Sequence, residues 1–340
     1  MSQANRRDFL KTLAGLTSGL LISYRGFSAT FGSLRDKIGE PLPLRMLGKT
    51  GEQVTMLGLG GYHIGWTTER KAQETIEAAL EGGIRFFDTA EQYANGGSET
   101  RYGKYLTPKY RDEIFLMTKT QAKDAESTRK DLEDTLRRLK TDQIDLWQVH
   151  SLRAPIDSER RIENGVLDVI AEAKKTGKVK YVGITGHQTP YSLERMLDKM
   201  GDDFFDTCQM PLNVIDAGVS HSFVHDIMPR LVDRNIGVLA MKTLADGRFF
   251  AKKIQNGNEK WSTNEPVIPE KLTIEEALSF VWSLPVSVLI TGAENPQLIR
   301  EKIAMAKRFE KLNESDRQNL VAKVSDLAEK EEVEYYKKNS

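Results

Sequence analysis

The sequence predicts an α/β fold, a (β/α)8 TIM barrel with an N-terminal β-hairpin plug and a C-terminal helical extension. Three observations predict it. Short apolar runs recur at 56–60, 85–88, 114–119, 144–150, 179–185, 205–209, 237–241 and 287–290. Continuous runs of this length suit strands buried on both faces, as in a parallel sheet. The segments between them are amphipathic, and eight strands alternating with helices predict closure into a barrel. Lastly, no G-x-G-x-x-G follows the first run, so a doubly wound open sheet lacks its fingerprint.

The elements follow in chain order. Asn5-Arg6-Arg7-Asp8-Phe9-Leu10-Lys11 precedes a mildly apolar stretch from Thr12 to Ile22. A basic start and a short apolar segment are the layout of a signal peptide. The Arg6-Arg7-x-Phe-Leu-Lys string resembles a twin-arginine export signal, placed here at residues 1–30. It implies the twin-arginine translocase as a partner during export and a periplasmic destination; with a non-functional signal the chain stays cytoplasmic. Leu44 to Gly48 and Gln53 to Thr55 flank Lys49-Thr50-Gly51-Glu52, a hairpin plugging the barrel's bottom.

Ala72, Ile76, Ala79 and Leu80 make one helical stripe, and Leu132, Leu136 and Leu139 a second; Val166, Leu167 and Ile170 make a third before Gly177, a helix stop. The barrel is assigned to residues 42–310. After the seventh strand, Gly247, Asn256, Gly257, Asn258, Pro266 and Pro269 carry too much turn chemistry for one helix. A long loop there lies on the catalytic face and is expected to act as a lid or substrate wall. Residues 311–340 are a charged helical tail, expected to be solvated and without chemistry.

Lys plus Arg and Asp plus Glu both total 49, so the formal net charge is zero. A nucleic-acid binder needs a basic surplus, and none is present. The single Cys208 can make neither an internal disulfide nor a thiolate metal cluster, and its apolar neighbours suggest an inert buried thiol. A bilayer span takes about 20 apolar residues, and no stretch supplies them. The expected partner is therefore a small molecule, without nucleic acid or a stable membrane anchor.

Reducing a carbonyl requires hydride at carbon and a proton at the developing oxyanion. A phenol can donate that proton, but its free pKa is about 10. An adjacent ammonium is expected to acidify it, a carboxylate to hold the ammonium, and a histidine to orient the carbonyl. Asp88 ends the second strand, Tyr93 follows on the next loop, Lys119 ends the third strand, and His150 ends the fourth. Those strand ends are neighbours at the C-terminal face of a barrel, where catalytic groups gather. Alone, each has a structural explanation, as cap, packing or surface charge; their coincidence favours a site.

Phe87-Asp88-Thr89-Ala90-x-x-Tyr93, with Ser98-Glu99, Thr118-Lys119 and Asp145-Leu146-x-x-Val149-His150, resembles the aldo-keto reductase superfamily. The resemblance implies NADP or NAD as cofactor, NADP marginally favoured, and an aldehyde, ketone or sugar-like substrate. It places Gly60, Gly61 and Tyr62 beside the nicotinamide. Gln209 and His187 fall on its carboxamide, His187 standing where the family has asparagine. Met241 takes the place of a stacking tyrosine, and Lys242, replacing serine, is expected to reach the pyrophosphate, with Leu244 beside it. Gly292 and Ala293 lead into a helix N-terminus expected to hold phosphate. The run after the eighth strand lacks the cations of NADP-preferring members, Arg300 and Lys302 coming only later. Ala240-Met241-Lys242 is most similar to a bacterial branch that sometimes carries a C-terminal iron–sulfur module, but no cysteine follows Cys208. Two other classes compete: a regulatory barrel similar to potassium-channel subunits, and a metal-dependent hydrolase, for which no paired ligand spacing appears at the strand ends.

Overall fold

The apolar runs become eight parallel strands that close on themselves. In the computed structural model they are β3 (Leu57–Gly60), β4 (Phe86–Asp88), β5 (Phe115–Thr120), β6 (Ile144–Leu152), β7 (Val179–Gly186), β8 (Thr207–Pro211), β9 (Gly237–Met241) and β12 (Val288–Gly292). The order β12-β3-β4-β5-β6-β7-β8-β9 is a closed barrel, sealed where β12 pairs with both β3 and β9. The structure describes residues 35–249, 252–255, 258–262, 271–330 and 333–337. The leader and its Arg6-Arg7 pair lie outside the described residues, as does the Lys338-Asn339-Ser340 end.

Two apolar compartments hold the barrel. Inside it, Phe86, Met117, Leu146, Leu239, Val288 and Ile290 pack with Leu47 and Val54. Leu47 and Val54 belong to the N-terminal hairpin, in which β1 (Leu44–Met46) pairs antiparallel with β2 (Gln53–Thr55). The hairpin is fastened to the barrel's bottom by the Lys49 amide, which donates to the Asn235 carbonyl at 2.7 Å. Gly51, at φ +80°, takes the left-handed turn position that favours glycine. Outside the strands, the helical stripes cover the barrel in a second, larger compartment that includes Ile76, Leu132 and Ile170. Full burial of each such side chain is worth about 1.5–3 kcal/mol.

Two expectations change. The irregular stretch after β9 contains a further antiparallel pair, β10 (Lys252–Gln255) with β11 (Asn258–Ser262), so it is not structureless. The tail is helical over Glu314–Lys323 and Ser325–Lys330, but it is not simply solvated. Leu320, Val321, Val324 and Ala328 are buried, and beyond the second helix Val333 and Glu334 are buried too. Lys323 pairs with Glu276, Asp326 with Lys271 and Lys337 with Asp216, all outside the tail.

Candidate active site

Parallel register brings the strand ends together. Asp88 lies opposite Met117, and Lys119 opposite Gln148. The Lys119 side chain is 1% exposed, and its ammonium donates to the Asp88 carboxylate and to the Thr89 carbonyl at 2.8 Å. A lysine ending an apolar strand is tolerable only because it is paired in this way. The same Nζ lies 3.4 Å from the Tyr93 hydroxyl and 4.9 Å from the centre of its ring.

Tyr93 is aimed by its loop. Ala94, Asn95 and Gly96 are consecutive left-handed residues, at φ +54°, +54° and +83°, and the Ser98 amide donates back to the Tyr93 carbonyl at 3.1 Å. The phenol ring meets Tyr62 and His150 edge-on, at 5.5 and 5.8 Å between centroids. His150 precedes Ser151, a non-glycine residue at φ +58°, where the β6–β7 register shifts. Such an irregularity re-aims a side chain at a barrel rim. The Gln92 side chain lies 3.4 Å from His150 Nδ1. With the Gln92 amide donating there, Nε2 carries the imidazole proton.

Burial governs the electrostatics. It drives the His150 imidazole well below its ordinary pKa, with help from the Lys119 charge, so the ring is neutral. Burial pushes the Asp88 carboxyl up, and the Lys119 ammonium pulls it back. The Tyr93 phenol is held well above its ordinary value by burial, then by Asp88 and Glu91. This reverses the expected acidification. The ammonium's charge is already engaged by Asp88 and Thr89, while two carboxylates and a dry setting oppose phenolate.

On the other side of the site, Gly61 passes so close to β4 that a Cβ there would lie 2.5 Å from the Asp88 carbonyl. The Ser98 hydroxyl fixes this approach by donating to the Gly61 carbonyl at 2.8 Å. Gly60 ends β3, and burial pushes the Tyr62 phenol up to about 12. On β8, Gln209 Oε1 is buried without a partner, as are His187 Nδ1 and Thr243 Oγ1. Burial lowers His187 to about 3, so it too is neutral. Met241 closes β9 and is buried.

Thr243 lines a cleft of about 370 Å³, walled also by Lys242, Leu244, Gly292, Ala293 and Lys302. Buried polar atoms rarely stay unpartnered. Those of His187, Gln209 and Thr243, the last of them on the cleft wall, fit a ligand with amide and phosphate groups such as a nicotinamide dinucleotide. His187 and Gln209 would hold its carboxamide, and Lys242, Gly292 and Ala293 its phosphates.

Three details differ from expectation or were missed. Lys242 is 3.4 Å from Asp246 and 4.7 Å from the centre of the Tyr336 ring, so its charge is shared before any phosphate arrives. The helix Pro296–Lys307 has one N-terminal amide, that of Leu298, taken by the Asn295 side chain at 3.1 Å. Lys302, although later in sequence, folds back along that helix to donate to Thr291 Oγ1 at 2.8 Å and the Gly292 carbonyl at 2.7 Å. Arg300 instead faces Glu81 at 3.9 Å. Gln92 could have been found from its position beside Tyr93, but nothing in the sequence points to Tyr336. Glu99 and Asp145 have structural work: Glu99 is buried against Arg138, Thr118 and Thr135, and Asp145 accepts the Leu116 amide and pairs with Arg111.

Comparison with known proteins supplies the family. Residues 56–332 match the Aldo/keto reductase family. L-galactose dehydrogenase of Arabidopsis thaliana is 27% identical over 301 residues, spanning 80% of this chain and 90% of that protein. The holo form of aldo-keto reductase AKR11C1 from Bacillus halodurans aligns with a TM-score of 0.68 at 24% identity, covering 83% of this chain and 96% of that one. A Klebsiella pneumoniae aldo-keto reductase solved in complex with NADPH aligns at 0.64 and 21% identity, covering 82% and 94%. The two structures, each less than 25% identical, speak for the barrel alone. The family match spans most of the sequence, and the chain belongs to the aldo/keto reductase family of oxidoreductases.

Proposed function

We propose that this chain interconverts carbonyl and alcohol groups of an aldehyde, ketone or sugar-like substrate, using NADP or NAD, with Tyr93 as general acid. The observation that carries the proposal is the buried Lys119 ammonium, held by Asp88 and 3.4 Å from the Tyr93 hydroxyl. Bound reduced nicotinamide would supply the hydride. Tyr93, protonated at rest, gives its proton to the oxygen that gains charge. Neutral His150 donates through Nε2 and orients that oxygen. Asp88 fixes Lys119, and Lys119 keeps the phenol hydroxyl in place. The unpartnered atoms of His187 and Gln209 support the cofactor assignment, as does membership of the aldo/keto reductase family. A sugar-like substrate draws support from the name of the Arabidopsis dehydrogenase.

The test is a carbonyl panel with NADPH and with NADH, run on wild type and Tyr93→Phe. General acid catalysis contributes about 10²–10⁴-fold, so the variant should lose at least ~10²-fold while binding cofactor normally. Near-normal turnover by Tyr93→Phe would remove Tyr93 from its role. Tight cofactor binding without turnover of any carbonyl would favour a regulatory barrel. The Arg6-Arg7 leader supports export by the twin-arginine translocase to the periplasm. Cell fractionation checks this: protein confined to the cytoplasm despite an intact Arg6-Arg7 pair ends the export proposal.

A further inference from the structure

The last described residues return to the barrel and tie down the wall of the cleft. Val333 and Glu334 are buried. Glu334 Oε1 accepts from Asn213 Nδ2 and from the Tyr336 hydroxyl, each at 2.7 Å. The Lys337 ammonium donates to both Glu334 and Asp216. Asp216 in turn accepts the Phe223 and Val224 amides at 3.2 and 2.9 Å. The segment is thus anchored to the loop after β8. From that anchor it reaches the loop after β9. The Tyr335 hydroxyl donates to the Asp246 carboxylate, and the Tyr336 ring lies 4.7 Å beneath the Lys242 ammonium.

The loop it reaches is one that needs holding. Lys242, Ala245 and Asp246 all have left-handed backbone, at φ +53°, +49° and +58°, which side-chain-bearing residues adopt only when their surroundings impose it. Lys242, Thr243, Leu244, Asp246 and Gly247 form one wall of the cleft. The hook's contacts fall on Lys242 and Asp246, the first and last of the three strained residues.

We infer that Tyr335 and Tyr336 are positioning residues for the cofactor site, holding the strained loop after β9 in the conformation that retains a bound dinucleotide. This rests on the cofactor reading of the cleft. This C-terminal hook would act on how long the cofactor stays, not on the transfer step, because its bonds and its ring contact run to Asn213, Asp216, Lys242 and Asp246. The aromatic face beneath Lys242 matters more than the Tyr336 hydroxyl, since a cation over a ring is attracted to the ring itself.

Stopped-flow displacement of NADPH from the full-length protein, beside single-turnover reduction of a carbonyl, tests the inference. Tyr336→Leu should speed NADPH dissociation about tenfold or more, with the single-turnover rate at saturating cofactor within about twofold of wild type. Tyr336→Phe, which keeps the ring, should restore slow release. Tyr335→Phe, which removes the bond to Asp246, should give a smaller acceleration in a protein whose Tm confirms folding. If Tyr336→Leu and Tyr335→Phe both release NADPH at the wild-type rate, the hook has no positioning role. If Tyr336→Phe is as fast as Tyr336→Leu, the ring is not what holds Lys242, and the inference fails in that form. Absence of NADPH and NADH binding by the wild type would instead overturn the cofactor reading beneath it.

Discussion

Lys119 has one charge and three oxygens to satisfy, and the order in which it serves them decides the state of Tyr93. Asp88 and the Thr89 carbonyl take it first, and the phenol at 3.4 Å is left the weakest claim. Burial together with Asp88 and Glu91 then holds the phenol well above its ordinary value. The consequence has a definite sign. A general acid works in its protonated form, so carbonyl reduction should keep its rate as pH rises past the ordinary phenol value of about 10. Oxidation needs the same oxygen deprotonated and should climb across the whole alkaline range. Rate against pH in both directions checks this, with Tyr93→Phe as control. An alkaline limb of reduction at lower pH, absent from Tyr93→Phe, would mean that the Lys119 charge dominates after all. The four residues themselves were legible because each ends or follows a run of unmistakable strand character. The direction of the Tyr93 shift was not legible, because it depends on which partner reaches Lys119 first, a matter of ångströms rather than residue types.

Among the elements, the junction of β12 with the helix Pro296–Lys307 makes a further prediction. Burial lowers the Lys302 ammonium to about 8, with Glu294 and Glu301 pulling the other way. Lys302 lines the cleft with both of those glutamates. If a phosphate group sits there, dinucleotide affinity should fall as pH rises through about 8, where the ammonium loses its proton. Lys302→Met should weaken binding at neutral pH and flatten the dependence. Fluorescence titration of NADPH and NADH between pH 6.5 and 9.5 would show it; a flat wild-type profile would exclude Lys302 from anion binding. Legibility varied between elements for physical reasons. The plug was readable because Lys49-Thr50-Gly51-Glu52 is turn chemistry between two short strand-like runs. The β10–β11 pair was missed although Asn256-Gly257, between those strands, is a strong hairpin signal. The abundance of turn residues around it reads as irregular loop. The tail misled in the opposite way: Glu334 and Lys337 suggest water, yet they satisfy each other and Asp216 against the barrel.

For the whole molecule, stability and chemistry are placed at opposite ends. The strand-end residues meet at the C-terminal face, while the hairpin and the start of the described chain close the other face, as barrels commonly arrange. Leu47 is fully buried in the interior compartment. Leu47→Ala should therefore cost about 2–5 kcal/mol in equilibrium urea unfolding, with kcat and KM unchanged. A second tie is electrostatic. Arg85, whose side chain is 8% exposed, donates to Asp36 Oδ2 at 2.5 Å and to Oδ1 at 3.0 Å. Burial alone would raise the Asp36 carboxyl. The Arg85 side chain and the Gly39 and Ile38 amides outweigh it, leaving the carboxyl below its ordinary 3.8. A carboxyl lowered in the folded state adds stability that is fully present above its unfolded value and is lost as pH falls through the folded one. Hydrogen bonds to charged groups are worth about 1.5–3 kcal/mol each, and Asp36 is partly exposed, so Asp36→Asn should cost ~2 kcal/mol at pH 7. Arg85 keeps two other acceptors, the Leu80 and Ile84 carbonyls, which limits the loss. The gap between wild type and variant should narrow as the buffer is taken below pH 4, because wild type then loses the charge that the variant never had. Urea midpoints at pH 7 and pH 3 decide it: a gap of equal size at both would mean that Asp36 acts through shape and neutral hydrogen bonds, not through its pairing with Arg85.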